Sequence, residues 1–72
     1  MKKYSDLTGK SGVKAYEFIP DGIKIMFTGG EIYRYTFRSA GKEAVLKMHE
    51  LAESGKGLST FISQHVKDNY EH

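Results

Sequence analysis

The stretch from Gly22 to Phe37, GIKIMFTGGEIYRYTF, constrains the fold of this chain more than any other. Apolar and polar residues alternate, two glycines interrupt, and the alternation resumes. Strand side chains point to opposite faces with period two. Ile23, Ile25 and Phe27 therefore share one side, and Lys24 and Met26 share the other. Beyond the glycines, Tyr33, Tyr35 and Phe37 share a side, while Ile32, Arg34 and Thr36 oppose them. The stretch reads as a β-hairpin, with Gly29-Gly30 supplying the positive φ of its turn.

Loop length decides which chemistry shares a face. A two-residue loop at Gly29-Gly30 would set Arg34 beside Ile25, on the apolar side. A three-residue loop over Thr28, Gly29 and Gly30, with a glycine bulge, sets Tyr33 opposite Ile25 and Tyr35 opposite Ile23. The buried face fixes register, so the three-residue loop is the one expected. It also sets Lys24 opposite Arg34, a like-charge pair tolerable only in water or beside an anion.

Val13 to Ile19 reads as a preceding strand, closed by Pro20-Asp21-Gly22, with Gly22 expected in the left-handed position of the turn. Two registers fit it. Either Tyr16 and Phe18 join Ile23 and Ile25 in the core, or Val13, Ala15 and Ile19 do so together with Glu17. Burying Glu17 without a partner is costly, which favours the aromatics inside. Residues 1–12 carry Lys2, Lys3, Lys10 and two glycines with little apolar material; they are expected to be a mobile tail. Gly9-Lys10-Ser11 is reminiscent of a phosphate-binding loop. Tyr4 stands where that motif needs glycine, and no strand precedes it, so the motif is rejected.

After the hairpin, Ser39 is expected to cap a helix carrying Glu43 in its first turn. Val45, Met48, Leu51 and Ala52 recur at helical spacing, with Leu46 at the margin. Glu43 and Lys47 form a favourable pair four apart, and Gly55 ends the helix. A second helix, capped by Ser59 or Thr60, shows Leu58, Phe61, Ile62 and Val66 on one stripe and runs to about Asn69. Tyr70 either packs back or hangs free. The sum is an α+β domain over residues 13–70: a three-stranded antiparallel meander in the order β-β-β-α-α, with both helices on one face.

The chain has 72 residues, enough for one small domain. With 39% hydrophobic and 28% charged residues it falls in neither the disordered nor the membrane class. No apolar run follows Met1-Lys2-Lys3, so neither a signal peptide nor a membrane span is expected, and the cytoplasm is the default setting. There is no cysteine, hence no disulfide and no thiolate zinc site. The net charge of +2 permits a nucleic-acid partner without arguing for one.

Several features together resemble one family. An apolar strand is followed by a strand ending in a glycine turn. Then come Ile32-Tyr33-Arg34-Tyr35, a helix ending Ala52-Glu53-Ser54-Gly55, Phe61-Ile62, and a terminal Tyr70. This resembles the KTSC domain, a module named for its occurrence at the C-terminus of some lysyl-tRNA synthetases and found also as a free-standing small bacterial or phage protein. The likeness covers roughly residues 11–70. Where the family often has Val-Pro between the third strand and the helix, this chain has Phe37-Arg38-Ser39-Ala40. The resemblance implies no catalytic activity. Its setting beside a tRNA enzyme implies an accessory role near RNA.

The candidate chemistry lies on the open sheet face. Lys24 and Arg34, joined by Lys14, suit phosphates, while Met26 and Ile32 offer apolar contact; the plainer reading is a charge ladder, Glu17 beside Lys24 beside Arg34, across a solvated sheet face. Single-strand binders add exposed aromatics on which bases stack, and this face has them only if Tyr16 and Phe18 point outward. Lys56, between two glycines and before a helix N-terminus, is a second anion candidate; the plainer reading is a helix–helix turn. His49 and Glu53 sit four apart, an exposed pair, not a metal site, since no second ligand pair exists. Neither a nucleophile with a base nor paired carboxylates in a cleft are evident. A domain this small, filled by aromatics, is expected to leave little room for a cleft of about 300 Å³. No enzyme activity, metal or cofactor is expected. The candidate ligands are RNA or another protein, the latter using the same face or a strand edge.

Overall fold

A computed structural model of the chain describes residues 1–5 and 12–71. An antiparallel sheet runs in the spatial order β1 (Lys2–Lys3), β2 (Val13–Ile19), β3 (Gly22–Phe27), β4 (Ile32–Thr36). Helix α1 (Lys42–Ser54) follows. Helix α2 (Leu58–Phe61) then runs on without a break into a π-helical turn, Ile62–Val66. The core joins Tyr16, Ile23, Ile25 and Tyr35 of the sheet to Met48, Ala52, Leu58, Ile62 and Val66 of the helices, so the helices cover one sheet face. The class is α+β with an antiparallel sheet and two helices, but the strands among the described residues number four, not the expected three.

The additional strand comes from the expected tail. Lys2 and Lys3 pair with Tyr16 and Ala15, and the Tyr4 N–H donates to the Lys14 carbonyl at 3.0 Å. The Tyr4 ring is buried, and its hydroxyl accepts the Leu58 N–H at 3.3 Å. That N–H opens α2 and has no partner within the helix. Two lysines carry no apolar alternation, so the strand is dictated by the open edge of β2 and by the place reserved for Tyr4. The Gly12 carbonyl accepts the Thr28 N–H at 2.8 Å. Residues 6–11, with the rejected Gly9-Lys10-Ser11 motif, lie outside the described residues.

The hairpin closes through three residues. Phe27 donates to the Glu31 carbonyl at 2.9 Å, and Gly30 donates back to Phe27 at 2.8 Å. Gly30 alone of the glycine pair takes a positive φ, 94°. Ile25 then faces Tyr33, Ile23 faces Tyr35, and Lys24 faces Arg34, as expected. In β2, Tyr16 pairs with Ile25, Glu17 with Lys24 and Phe18 with Ile23, the register with aromatics on the helix side; of the two rings only Tyr16 joins the core, while Phe18 stays 38% exposed. A bulge between Val13 and Ala15 adds one residue, and Val13 also returns to the core opposite Phe27. The two sets of apolar residues that competed for the core are thus partly reconciled by one irregularity.

Gly22 corrects an expectation. It takes no positive φ but is a strand residue opposite Thr36. A Cβ there would lie 2.1 Å from the Tyr35 carbonyl oxygen and 2.7 Å from the Thr36 Cα. The glycine is required by close backbone approach.

The helix starts also differ. Thr36 Oγ1 accepts the Ser39 N–H and Ser39 Oγ accepts the Thr36 N–H, each at 3.0 Å. This is a capping box on a single turn, in which Ala40 and Gly41 donate to the carbonyls of Thr36 and Phe37. Ser39 is consumed there, and α1 begins three residues later, at Lys42, behind Gly41. Within α1, Val45, Met48 and Ala52 are buried. Lys47 pairs with Glu50 at 3.7 Å in place of the expected Glu43. Gly55 ends the helix in the left-handed conformation, as expected. Gly57 stands at the cap of the second helix, two or three residues before the expected Ser59 or Thr60, and the helix ends at Val66 instead of near Asn69.

Leu58, Ile62 and Val66 recur every four residues. In an α-helix each four-residue step rotates the face by about 40°. The Lys67 N–H reaches the Ile62 carbonyl, five residues back, at 2.6 Å. This wider turn holds more than four residues, so its four-residue step rotates the opposite way. The two drifts oppose one another, and all three side chains are buried.

Gly22→Ala should destabilise the fold by about 1–3 kcal/mol or more through backbone overlap, read as a lower urea midpoint at unchanged m-value. Tyr4→Phe should cost about 1–3 kcal/mol by orphaning the Leu58 N–H, and Tyr4→Ala about 3–5 kcal/mol. A Tyr4→Ala protein as stable as the parent would show that the N-terminal strand is not part of the folding unit.

Candidate functional site

The sheet face turned away from the helices is built by pairing alone. One row runs Lys3, Ala15, Met26, Ile32; the next runs Glu17, Lys24, Arg34. Because Phe27 donates to Glu31, the hydrogen-bonded pairs of the hairpin fall on Ile25–Tyr33 and Ile23–Tyr35. Lys24 and Arg34 therefore form a non-hydrogen-bonded pair, the kind whose side chains stand closest. Among the described residues the ion pair within 4.0 Å is Lys47–Glu50; Glu17 stands opposite Lys24 but makes no ion pair at that distance. Ile32 is 51% exposed and Met26 beside it is half-buried.

Of the six residues singled out from the sequence, the fold brings Lys24, Met26, Ile32 and Arg34 together. Lys14 is the exposed extra residue at the β2 bulge, where it and Ala15 face the single residue Met26. Lys56 is exposed in the α1–α2 turn, in the helical layer, and does not share this face. Lys3 was missed: it lies beside Ala15 on the same face. No sequence signal marked it, since a two-residue strand has no period to detect. Tyr16, Phe18, Tyr33 and Tyr35 all lie on the helix side, so the rows of the open face hold no ring.

The histidine expected beside Glu53 is held elsewhere. His49 Nε2 lies 2.9 Å from the Gly22 carbonyl, and its ring stacks on Phe18 at 4.3 Å. A carbonyl only accepts, so Nε2 carries the proton. The contact staples α1 to the β2–β3 turn. Among the described residues no three His, Asp or Glu side chains gather where they could hold a metal ion.

On the helix side, beyond the sheet edge, lies a cleft of about 410 Å³ that sequence reasoning had no room for. Phe27, Tyr33, Tyr35 and Tyr70 wall it from the sheet and the C-terminal segment. Ser59, Ile62, Ser63 and Lys67 wall it from the second helix, and Glu31 and Asp68 complete it. The rings treated as filler are its lining. Tyr70 packs back, its centroid 4.3 Å from Tyr33 and 6.0 Å from Tyr35. The Glu71 N–H donates to the Arg34 carbonyl at 2.7 Å, and Thr36 Oγ1 donates to Glu71 Oε2 at 2.8 Å.

The Tyr35 hydroxyl donates to the Lys67 carbonyl at 3.3 Å. Burial, then the neighbouring Tyr70, Tyr33 and Asp68, push its pKa up from 10.0 to about 12. Comparison with protein-family models, curated proteins and solved structures finds no match to this chain. No described helix is long and apolar enough to cross a membrane.

A raised tyrosine pKa stabilises the fold fully below the unfolded value and ceases to as pH climbs through the folded one. Unfolding free energy should therefore fall between pH 10 and 12 by roughly 2–3 kcal/mol on account of Tyr35. Tyr35→Phe should remove that part of the slope, as read from urea midpoints across the range. Parallel pH profiles for the two proteins would refute the assignment.

Proposed function

We propose that this chain is a non-enzymatic binding module whose open sheet face receives an anionic partner, RNA above all. The observation that carries this reading is the Lys24–Arg34 pair. Two cations stand opposite one another on a solvent-facing sheet, and Glu17 forms no ion pair with either. Lys3 and the bulge residue Lys14 extend the positive surface, and the resemblance to the KTSC domain supports RNA as the anion. With no ring in the rows of this face, contact rests on phosphates, which position nucleic acid without reading sequence.

A second reading, a protein partner on the same face, is favoured by Ile32. It is 51% exposed beside Met26, the apolar centre such an interface needs. Pairing through the β4 edge is less favoured, because Glu71 already occupies the Arg34 carbonyl.

In a gel-shift or anisotropy assay at low salt, tRNA should bind, and log K should fall linearly with log salt. Lys24→Glu combined with Arg34→Glu should abolish binding, whereas Ile32→Ser should leave it nearly unchanged. No binding at low salt ends the nucleic-acid reading. Loss of a protein contact on Ile32→Ser, with salt of little effect, would favour the second.

A further inference from the structure

The cleft at the sheet edge shares no lining residue with the open face and is independent of the reading of that face. Its aromatic wall is continuous: Phe27 meets Tyr33 edge-on at 5.4 Å, and Tyr33 meets Tyr70 at 4.3 Å. All three rings are half-buried and line the space. Ring faces carry partial negative charge and attract cations. Two exposed carboxylates, Glu31 and Asp68, also line the cleft, against one ammonium, Lys67. The local charge is thus negative in a protein whose net charge is +2.

The opposite wall includes Ile62 and Ser63 of the π-helical turn, a backbone form found frequently at functional sites. Tyr35 spends its hydroxyl on the Lys67 carbonyl and so fixes the segment that presents Asp68. The volume of about 410 Å³ lies in the range of small-ligand sites.

We propose that this cleft binds an organic cation, an alkylammonium or guanidinium group, held against Tyr33 and Tyr70 with Asp68 and Glu31 as counter-charges. Such a group is either a free small molecule or the side chain of a basic peptide. Diffuse cations of this kind shed water more readily than a compact ammonium, and their apolar surface fits the ring wall.

Aromatic ring signals in NMR spectra provide the readout, at ionic strength held constant with sodium chloride. Tetramethylammonium chloride and N-acetylarginine amide serve as probes, the first for a free cation and the second for a peptide side chain. At least one should give saturable shifts of the Tyr33 and Tyr70 rings, half-complete at about 1–10 mM. Asp68→Asn should weaken that binding about three- to tenfold, and Lys67→Gln should tighten it by a similar factor, because one removes an attractive charge and the other a repulsive one. Both residues are exposed, so the fold tolerates the changes. Lys24→Glu with Arg34→Glu should leave the response unchanged, which separates this site from the open face. Shifts that fail to saturate by 100 mM with both probes, equal shifts with sodium chloride, saturable shifts with inorganic phosphate instead, or weaker binding in Lys67→Gln would each overturn the proposal.

Discussion

The register between β3 and β4 rests on two hydrogen bonds, Phe27 to Glu31 and Gly30 to Phe27, and on the one left-handed residue that lets both form. Removing a residue from that loop slips β4 by one. Tyr33 and Tyr35 would then face water, and Arg34 would sit under the helices. Period-two side chains make any such slip a complete exchange of faces. A guanidinium buried without a partner costs several kcal/mol, comparable to the whole stability of a domain this size. The turn and the core thus specify the same arrangement, and the open face inherits its cations from that agreement.

The helical cover follows from spacing. In α1, Val45, Met48 and Ala52 fit an ordinary amphipathic stripe. In the second helix the apolar residues sit four apart, and the backbone widens to keep them on one face. That widening ends at Lys67, whose carbonyl accepts the Tyr35 hydroxyl. The next residues turn back along β4, where Tyr70 packs on Tyr33 and Glu71 takes the Arg34 carbonyl. The open edge of β4 is therefore partly satisfied from within the chain, one recognised way of blunting an exposed strand. At the other edge the two-residue β1 carries only lysines, another.

What the sequence made legible was what has a period. The hairpin register, the aromatic side of β2, the stripe of α1 and its glycine stop all follow from alternation or helical spacing. What it concealed was local or long-range. Lys2–Lys3 pair because β2 offers an edge, and Tyr4 is buried because the helices leave it a place; neither fact is written in residues 1–5. Ser39 looked like the cap of α1 and is not: it is bonded to Thr36 in the preceding turn, and Gly41 stands at the start of α1. Gly22 announced a turn and serves close packing. The open face was readable, except for Lys3. The cleft was not, because whether Tyr33 and Tyr70 fill or line a space depends on where the C-terminal segment returns.

Cross-strand energetics alone would not place an arginine at position 34. In the non-hydrogen-bonded pair with Lys24 an acidic residue would add a favourable cross-strand contact of a few tenths of a kcal/mol up to about 1 kcal/mol. Arginine there reverses the sign. Nothing in the packing demands it: Arg34 is exposed, and its backbone carbonyl would accept the Glu71 N–H whatever its side chain. The like-charge pair is therefore a small cost to the free fold, borne at a place where solvent screens it. An anion set between the two side chains would turn that repulsion into a shared attraction, and the energy of the pair would then favour the bound state over the free one.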